Sequence, residues 1–211
     1  MHGIILKTLQ DYVIGEYGRE AWEEVQRRAD VAEKVYVPVT VYPDRDVYEL
    51  ATAAGEVTGK GARQILCDYG TYVVPHLVSM YDIHIDDDWG ALALIANIEQ
   101  YHTSLRTRDM VEVTTPRVRS EWLDDTEGMV QITYDSDRML CDVARGAIMG
   151  VSKHFGDRLA FEEQTCMLEG DDACRFVISR DEQQVTAHVH GDAGSEPDTT
   201  GESDDRVARG D

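Results

Sequence analysis

The stretch that decides the fold is "QITYDSDRMLCDVARGAIMG", residues 131–150. It opens with the period of a half-buried strand and continues with the period of an amphipathic helix. At the junction Tyr134, Ser136 and Arg138 fall on alternate positions. Alternate residues of a strand share a face, so a phenol, a hydroxyl and a guanidinium fork are expected to point the same way. Asp135 and Asp137 then face the opposite side. Such a set suits carboxylate oxygens, which arginine can bind bidentately. On the strand alone, an edge with a solvated polar face is the commoner explanation.

Working outward, "MVEVTTPRVRSEWLDD" and "EGMVQITYDSDR" read as strands before a helix over 139–156. "LAFEEQTCML" and "ACRFVISR" read as strands after it, joined by a hairpin-type turn at "EGDD". The first half has helical spacing instead. "GIILKTLQDYVIGEYG" ends at Gly18, a suitable C-cap, and "EAWEEVQRRADV" is a short amphipathic helix. "VYVPVTVYPD" is extended and broken by Pro38 and Pro43. Two helices follow over 44–80, and then "WGALALIANIEQYHTSLRTR" reads as one long helix with Asp88 as its cap. The expected class is α+β: a helical N-terminal half packed on a C-terminal antiparallel sheet with one long helix inserted. Residues 1–180 form the domain. Residues 181–211 hold nine acids against two arginines and few large apolar side chains, so they read as an acidic disordered tail.

The charge balance is unusual. The chain of 211 residues carries 41 acidic against 20 basic side chains, a formal net of −21, with 24 Asp, 17 Glu, 16 Arg and only 4 Lys. A dense carboxylate coat repels itself in dilute buffer and becomes tolerable when salt screens it, so the composition implies adaptation to very high ionic strength, as in extreme halophiles. Nucleic acid is disfavoured as a partner, because no basic patch is present to release counterions. No signal-peptide pattern is seen at the N-terminus, and "GALALIANI" is too short to span a bilayer. A cytoplasmic protein is expected, whose four cysteines serve as thiols or metal ligands in preference to disulfides.

His102 lies beside the apolar stripe formed by Leu94, Ile95, Ile98, Tyr101 and Leu105. A lone histidine at such a place is usually a hydrogen-bonded boundary residue. It is also the usual axial ligand of heme iron. Heme needs one strong axial ligand, an apolar slot and polar anchors for two propionates, and His102 with the Tyr/Ser/Arg triplet supplies the ligand and the anchors.

With "MHGIILKTL" at the start, "NIEQYH" ending in His102, and "YDSDR" in that order, the chain resembles the heme–nitric-oxide/oxygen-binding (H-NOX) family over about residues 1–180. The resemblance implies heme b held between the helical half and the sheet. His102 would be the proximal iron ligand, and Tyr134, Ser136 and Arg138 would hold the propionates. Ile5 and Pro116 occupy places where the family presses residues on the porphyrin. On the gas side, oxygen-binding members place a tyrosine nine residues after the motif tyrosine. That position is Val143 here, and the other pocket positions are Leu9 and Val73. An apolar distal side favours nitric oxide, with Tyr72 and Tyr12 as the phenols able to alter that balance.

The same resemblance implies a sensor, not an enzyme, in which nitric oxide weakens or breaks the Fe–His bond. The residues agree: no nucleophile–base pair, phosphate loop or paired-carboxylate site is evident. The partner would be a separate protein, in prokaryotic relatives a histidine kinase, a cyclic-dinucleotide enzyme or a chemotaxis receptor. Some relatives hold zinc with cysteines spaced like Cys141, Cys166 and Cys174. Glu163 stands where the family's histidine would be, and His154 is a further candidate ligand. Three reduced core cysteines are the plainer alternative, as Cys67 is for packing. The reading from a different class is a heme-free small-ligand-binding or scaffold module.

Overall fold

A computed structural model of the chain describes residues 1–32, 35–81, 85–86, 88–100, 116–124 and 128–181. Helix α1 (Gly3–Tyr17) opens on a cap from His2, whose ring accepts the Ile4 amide, and ends at Gly18 with φ 89°. Helices α2 (Arg19–Arg28) and α3 (Arg45–Thr58) follow, and α3 ends at Gly59 in the left-handed region that glycine enters without strain. Between them the described chain is irregular and is tied back to the start of α1 by a bridge between His2 and Val41 and by hydrogen bonds from the Gly3 amide to Thr40 O and from the Tyr42 amide to Met1 O. Helix α4 (Ala62–Tyr81) continues through Pro75. Proline cannot donate to the carbonyl four residues back, which belongs to Thr71.

The long helix expected over 89–108 is interrupted. Helix α5 covers Ala91–Ala96 only. Asn97 turns its side-chain amide back onto the Ala93 carbonyl at 2.9 Å, and residues 98–100 are helical again. A side-chain amide able to bond the backbone competes with the helical ladder, which is why the break falls at an asparagine. The expected cap is also replaced. Asp88 is exposed, and the first amide of α5, on Ala91, donates instead to Asp157 Oδ2 at 2.7 Å. An N-terminal amide needs an acceptor from any source, and here one comes from 66 residues further along the chain. Asp157→Ala should therefore lower stability by about 1 kcal/mol, whereas Asp88→Ala should leave a denaturant melt unmoved. Equal effects of the two would refute the assignment.

Strands β1 (Arg117–Trp122), β2 (Met129–Asp135), β3 (Leu159–Thr165) and β4 (Cys174–Arg180) form one antiparallel sheet in the order β1–β2–β4–β3. Helix α6 (Cys141–Phe155) is inserted between β2 and β3 and closes at Gly156, φ 71°. The β3–β4 connection is longer than the expected turn at "EGDD". Residues 166–173 make it, with a 3-10 turn at Met167–Glu169, Gly170 at φ 101°, and Asp171 Oδ2 accepting the Cys166 amide at 2.9 Å. Asp181 still belongs to the sheet's margin, since its amide donates to Arg158 O at 3.0 Å. The expected tail beyond it, residues 182–211, lies outside the described residues.

Two apolar clusters organise the interior. One gathers Leu6, Leu9, Val13, Leu50, Ile65 and Tyr69 from the helical half. The other joins Leu92, Leu94, Ile95 and Ile148 to Val130, Phe176 and Ile178 of the sheet. Helices α4 and α6 span the two clusters and approach at their backbones, because Gly70, Gly146 and Gly150 lie in the crossing. A Cβ on Gly146 would stand 1.9 Å from the Cys67 carbonyl oxygen, and one on Gly70 would stand 2.4 Å from that of Val143. Thr71 Oγ1 spans the crossing to Gly146 O at 3.0 Å. Among the described residues no helix is long and apolar enough to cross a membrane.

Candidate functional site

The three donors of the motif do not all lie on one strand. Only Tyr134 lies on β2, which ends at Asp135. Ser136 and Arg138 occupy the turn into α6. There Ser136 Oγ accepts the Arg138 amide at 3.3 Å, and Met139 donates to Ser136 O at 2.9 Å. The strand stops because β1 begins at Arg117, opposite Asp135, and because a serine hydroxyl captures the next free amide. Met139 at φ 48° completes the reversal.

Tyr134 is buried, and burial pushes its phenol up, with the Ser136 hydroxyl on it working the other way. The Arg138 side chain is 12 % exposed, and its Nε donates to Asp44 Oδ1 at 2.8 Å. Asp44 also receives the Met1 ammonium, which donates to Tyr42 O. Partial burial works to raise the Asp44 carboxyl, but the Met1 ammonium and Arg138 outweigh it and hold it below its ordinary value. A carboxyl depressed on folding contributes stability that is present above its unfolded value and lost as pH falls through the lower folded one. Asp44→Asn should thus flatten the acid limb of the stability profile below about pH 4. A limb as steep as in the unaltered chain would exclude this pair from it. Tyr48, one turn further along α3, lies near Cys141, Asp44 and Arg138, and burial pushes its phenol up to about 12. Asp44 and Tyr48 are neighbours of the motif that spacing did not reveal, since α3 approaches only through the fold.

The remaining positions are distributed as follows. Leu9 and Val73 are buried in the helical cluster, and Ile5 and Val143 are half-buried against it. Pro116 is half-buried immediately before β1. His102, with Tyr101 and Leu105, lies outside the described residues. Neither phenol singled out for the gas side stands alone. Tyr12 is buried with its hydroxyl 3.3 Å from that of Tyr17, and Tyr72 packs between Tyr12 and His76, at 5.5 and 5.1 Å between ring centres. The phenol that spacing did not single out is Tyr69, buried to the last atom, whose hydroxyl is 2.8 Å from Thr8 Oγ1 and donates to the Ile5 carbonyl at 3.0 Å.

Cys141, Cys166 and Cys174 meet at the start of α6, the end of β3 and the start of β4. All three are buried, with sulfur atoms within 4.8 Å of one another. The Tyr134 of the motif pairs directly across β2–β4 with Cys174, so the two groups share a strand pair. Burial raises the Cys141 and Cys166 thiols, and the neighbouring thiols add to this. Glu163 stands beside this cluster, but one of its oxygens is ion-paired with Arg145, and its Oε1 is buried without a partner. Arg145 also pairs with the buried Asp142, which Arg63 reaches at 3.0 Å from the other side. His154 does not join the cluster: it is exposed on α6 and packs edge-on against Phe155. A helix places residues thirteen apart on different faces, so Cys141 and His154 cannot both face one point.

Tyr134, Ser136 and Arg138 offer donors of the kind that suits carboxylate oxygens. The chain belongs to the Haem-NO-binding family, whose model matches residues 2–163. It is a gas-sensing heme domain of the H-NOX type. Its fold is that of an H-NOX protein from S. oneidensis solved in the Fe(II)NO ligation state, with TM-score 0.76 and 22% identity over 86% of this chain and 99% of that one. The I5F mutant of the T. tengcongensis H-NOX is similar, with TM-score 0.75 and 19% identity over 85% and 97% of the two chains. So is an unliganded Fe(II) mutant H-NOX protein from K. algicida, with TM-score 0.74 and 19% identity over 88% and 100%.

Proposed function

We propose that this chain is a nitric-oxide sensor that works in the cytoplasm with heme b and reports to a separate signalling protein. The observation that supports the reading is the placement of Tyr134 at the end of β2 and of Ser136 and Arg138 in the turn that follows it. Tyr134 and Ser136 would donate to one propionate and Arg138 to the other, with Asp44 keeping the guanidinium oriented. His102 would hold the iron, and Ile5 and Pro116 would press on the ring. When bound, the heme would supply an iron able to take nitric oxide, and a weakened hold of His102 on it would be the signal.

The gas preference rests on the chain's own side chains. Leu9, Val73 and Val143 offer no hydrogen-bond donor, and dioxygen gains from a donor more than nitric oxide does. The hydroxyls of Tyr12 and Tyr69 are already committed to Tyr17 and to the first turn of α1. The expected result is a coloured protein whose ferrous spectrum changes with nitric oxide and not with air. A colourless preparation that refuses added hemin would sink the reading in favour of a heme-free ligand-binding or scaffold module. The output would be a shift between two arrangements of the helix bearing His102, read by a histidine kinase, a cyclic-dinucleotide enzyme or a chemotaxis receptor. A ligand shifts such an equilibrium only through its differential affinity for the two arrangements.

A second site is proposed on a separate observation, the three thiols within reach of one ion. Zinc bound by thiolates at about 2.3 Å would hold Cys141, Cys166 and Cys174 together, with the unpartnered Glu163 Oε1 as the fourth donor. Zinc content should fall to background when Cys166 and Cys174 are both replaced by Ser. Unchanged content would assign the thiols to plain packing.

A further inference from the structure

We propose that Tyr69 is a positioning residue for Ile5, fixing how far that side chain reaches toward the heme. The inference rests on the heme reading above and adds to it a residue that acts through another. Tyr69 lies on α4, where no part of it meets solvent. Its hydroxyl makes a directional link between α4 and the start of α1: it donates to the Ile5 carbonyl at 3.0 Å and lies 2.8 Å from Thr8 Oγ1. Thr8, itself buried, turns its hydroxyl back to Ile4 O at 2.8 Å. Each hydroxyl has one proton, so Tyr69 and Thr8 share their donors among the Ile5 carbonyl, the Ile4 carbonyl and each other, a small polar knot inside an apolar cluster.

The surroundings explain why such a knot matters. Leu6, Leu9 and Val13 hold α1 against its neighbours by dispersion and burial, which resist separation but allow small rotations and slides. A hydrogen bond is directional, and a buried phenol left without a partner is costly, so the knot admits one rotation of α1 about its own axis. The start of α1 is held a second time by Gly3, whose amide donates to Thr40 O at 2.7 Å. Ile5 sits between these two fastenings. Tyr69 precedes Gly70, the glycine packed on the Val143 carbonyl, and stands one turn before Val73 on the same face of α4. The knot thereby references Ile5 to the helix pair that carries both Val73 and Val143.

Tyr69→Phe removes one oxygen and keeps the ring. In heme-loaded protein it should move the reduction potential and the out-of-plane Raman bands of the porphyrin in the direction that Ile5→Ala moves them. In the Ile5→Ala background it should move neither further. Amide exchange across residues 3–9 should quicken about tenfold. Should Tyr69→Phe fail to fold, Thr8→Val removes the other half of the knot and is expected to give a smaller shift in the same direction. Unchanged potential and Raman bands in a normally loaded variant overturn the proposal. So does a shift of equal size when residue 5 is already alanine, because Tyr69 would then act without Ile5. If the unaltered chain takes up no heme, the heme reading fails and this inference fails with it, an outcome visible before any variant is made.

Discussion

Replacing His102 by glycine is expected to cost the chain its tight hold on iron, with imidazole in the buffer restoring a ligand and the colour. Losing even an outer partner of a metal ligand costs about 10–100-fold in affinity, so loss of the ligand itself should exceed a hundredfold. The motif at the β2–α6 turn would still grip the propionates, because Tyr134, Ser136 and Arg138 are held by the strand, the turn and Asp44, independently of residue 102. The variant should therefore retain some heme in a pocket without a proximal bond. Titration with hemin, with and without imidazole, measures this. Retention of full affinity without imidazole would mean that another group serves as the ligand.

Gly146→Ala is expected to destabilise the whole domain by roughly 3 kcal/mol, at the upper end of what overpacking usually costs. The added methyl would stand 1.9 Å from the Cys67 carbonyl oxygen, 2.8 Å from its carbon and 3.1 Å from its Cα. These are backbone atoms in the middle of a helix, so no rotamer change relieves the clash. Relief requires α4 and α6 to part, which loosens the Gly70 and Gly150 contacts and stretches the Thr71–Gly146 hydrogen bond of 3.0 Å. For a domain of this size 1 kcal/mol corresponds to about 2–4 °C, so thermal unfolding should fall by roughly 10 °C. Gly15→Ala is the internal contrast. The nearest atom there is Tyr72 Oη at 3.9 Å, and relief of backbone entropy in a helix should add about 0.5–1 kcal/mol. Equal changes at the two glycines would show that helix propensity, and not the crossing, governs Gly146.

Much of this was legible in the chain itself. The alternation in "QITYD" and the helical spacing of "CDVARGAIMG" set the β2–α6 junction, and three polar letters at spacing two made it a candidate site. Gly18 is the end of α1 that the spacing predicts, and it takes φ 89°. The acid-rich composition follows from the letters alone. Such features are local: each depends on residues a few positions apart, whose geometry the backbone dictates.

What the tertiary structure alone decided lies in contacts between distant segments. Asp157 caps α5 across 66 residues, and Arg138 meets Asp44 across 94. The apolar run from Trp89 to Ile98 looked like one uninterrupted helix, and the break at Asn97 and the foreign cap appear only once the segment is packed. Ser136 and Arg138 follow Tyr134 in a turn and not along the strand, because pairing with β1 ends at Asp135. The resemblance implies that Cys141, Cys166 and Cys174 could share a zinc ion, but the distance between them is set only when β3 and β4 pair beside the start of α6. The physical reason is common to all of these. Spacing encodes which face of an element a side chain occupies, while the neighbour that face will meet depends on packing, and packing is settled only when every element competes for the same core.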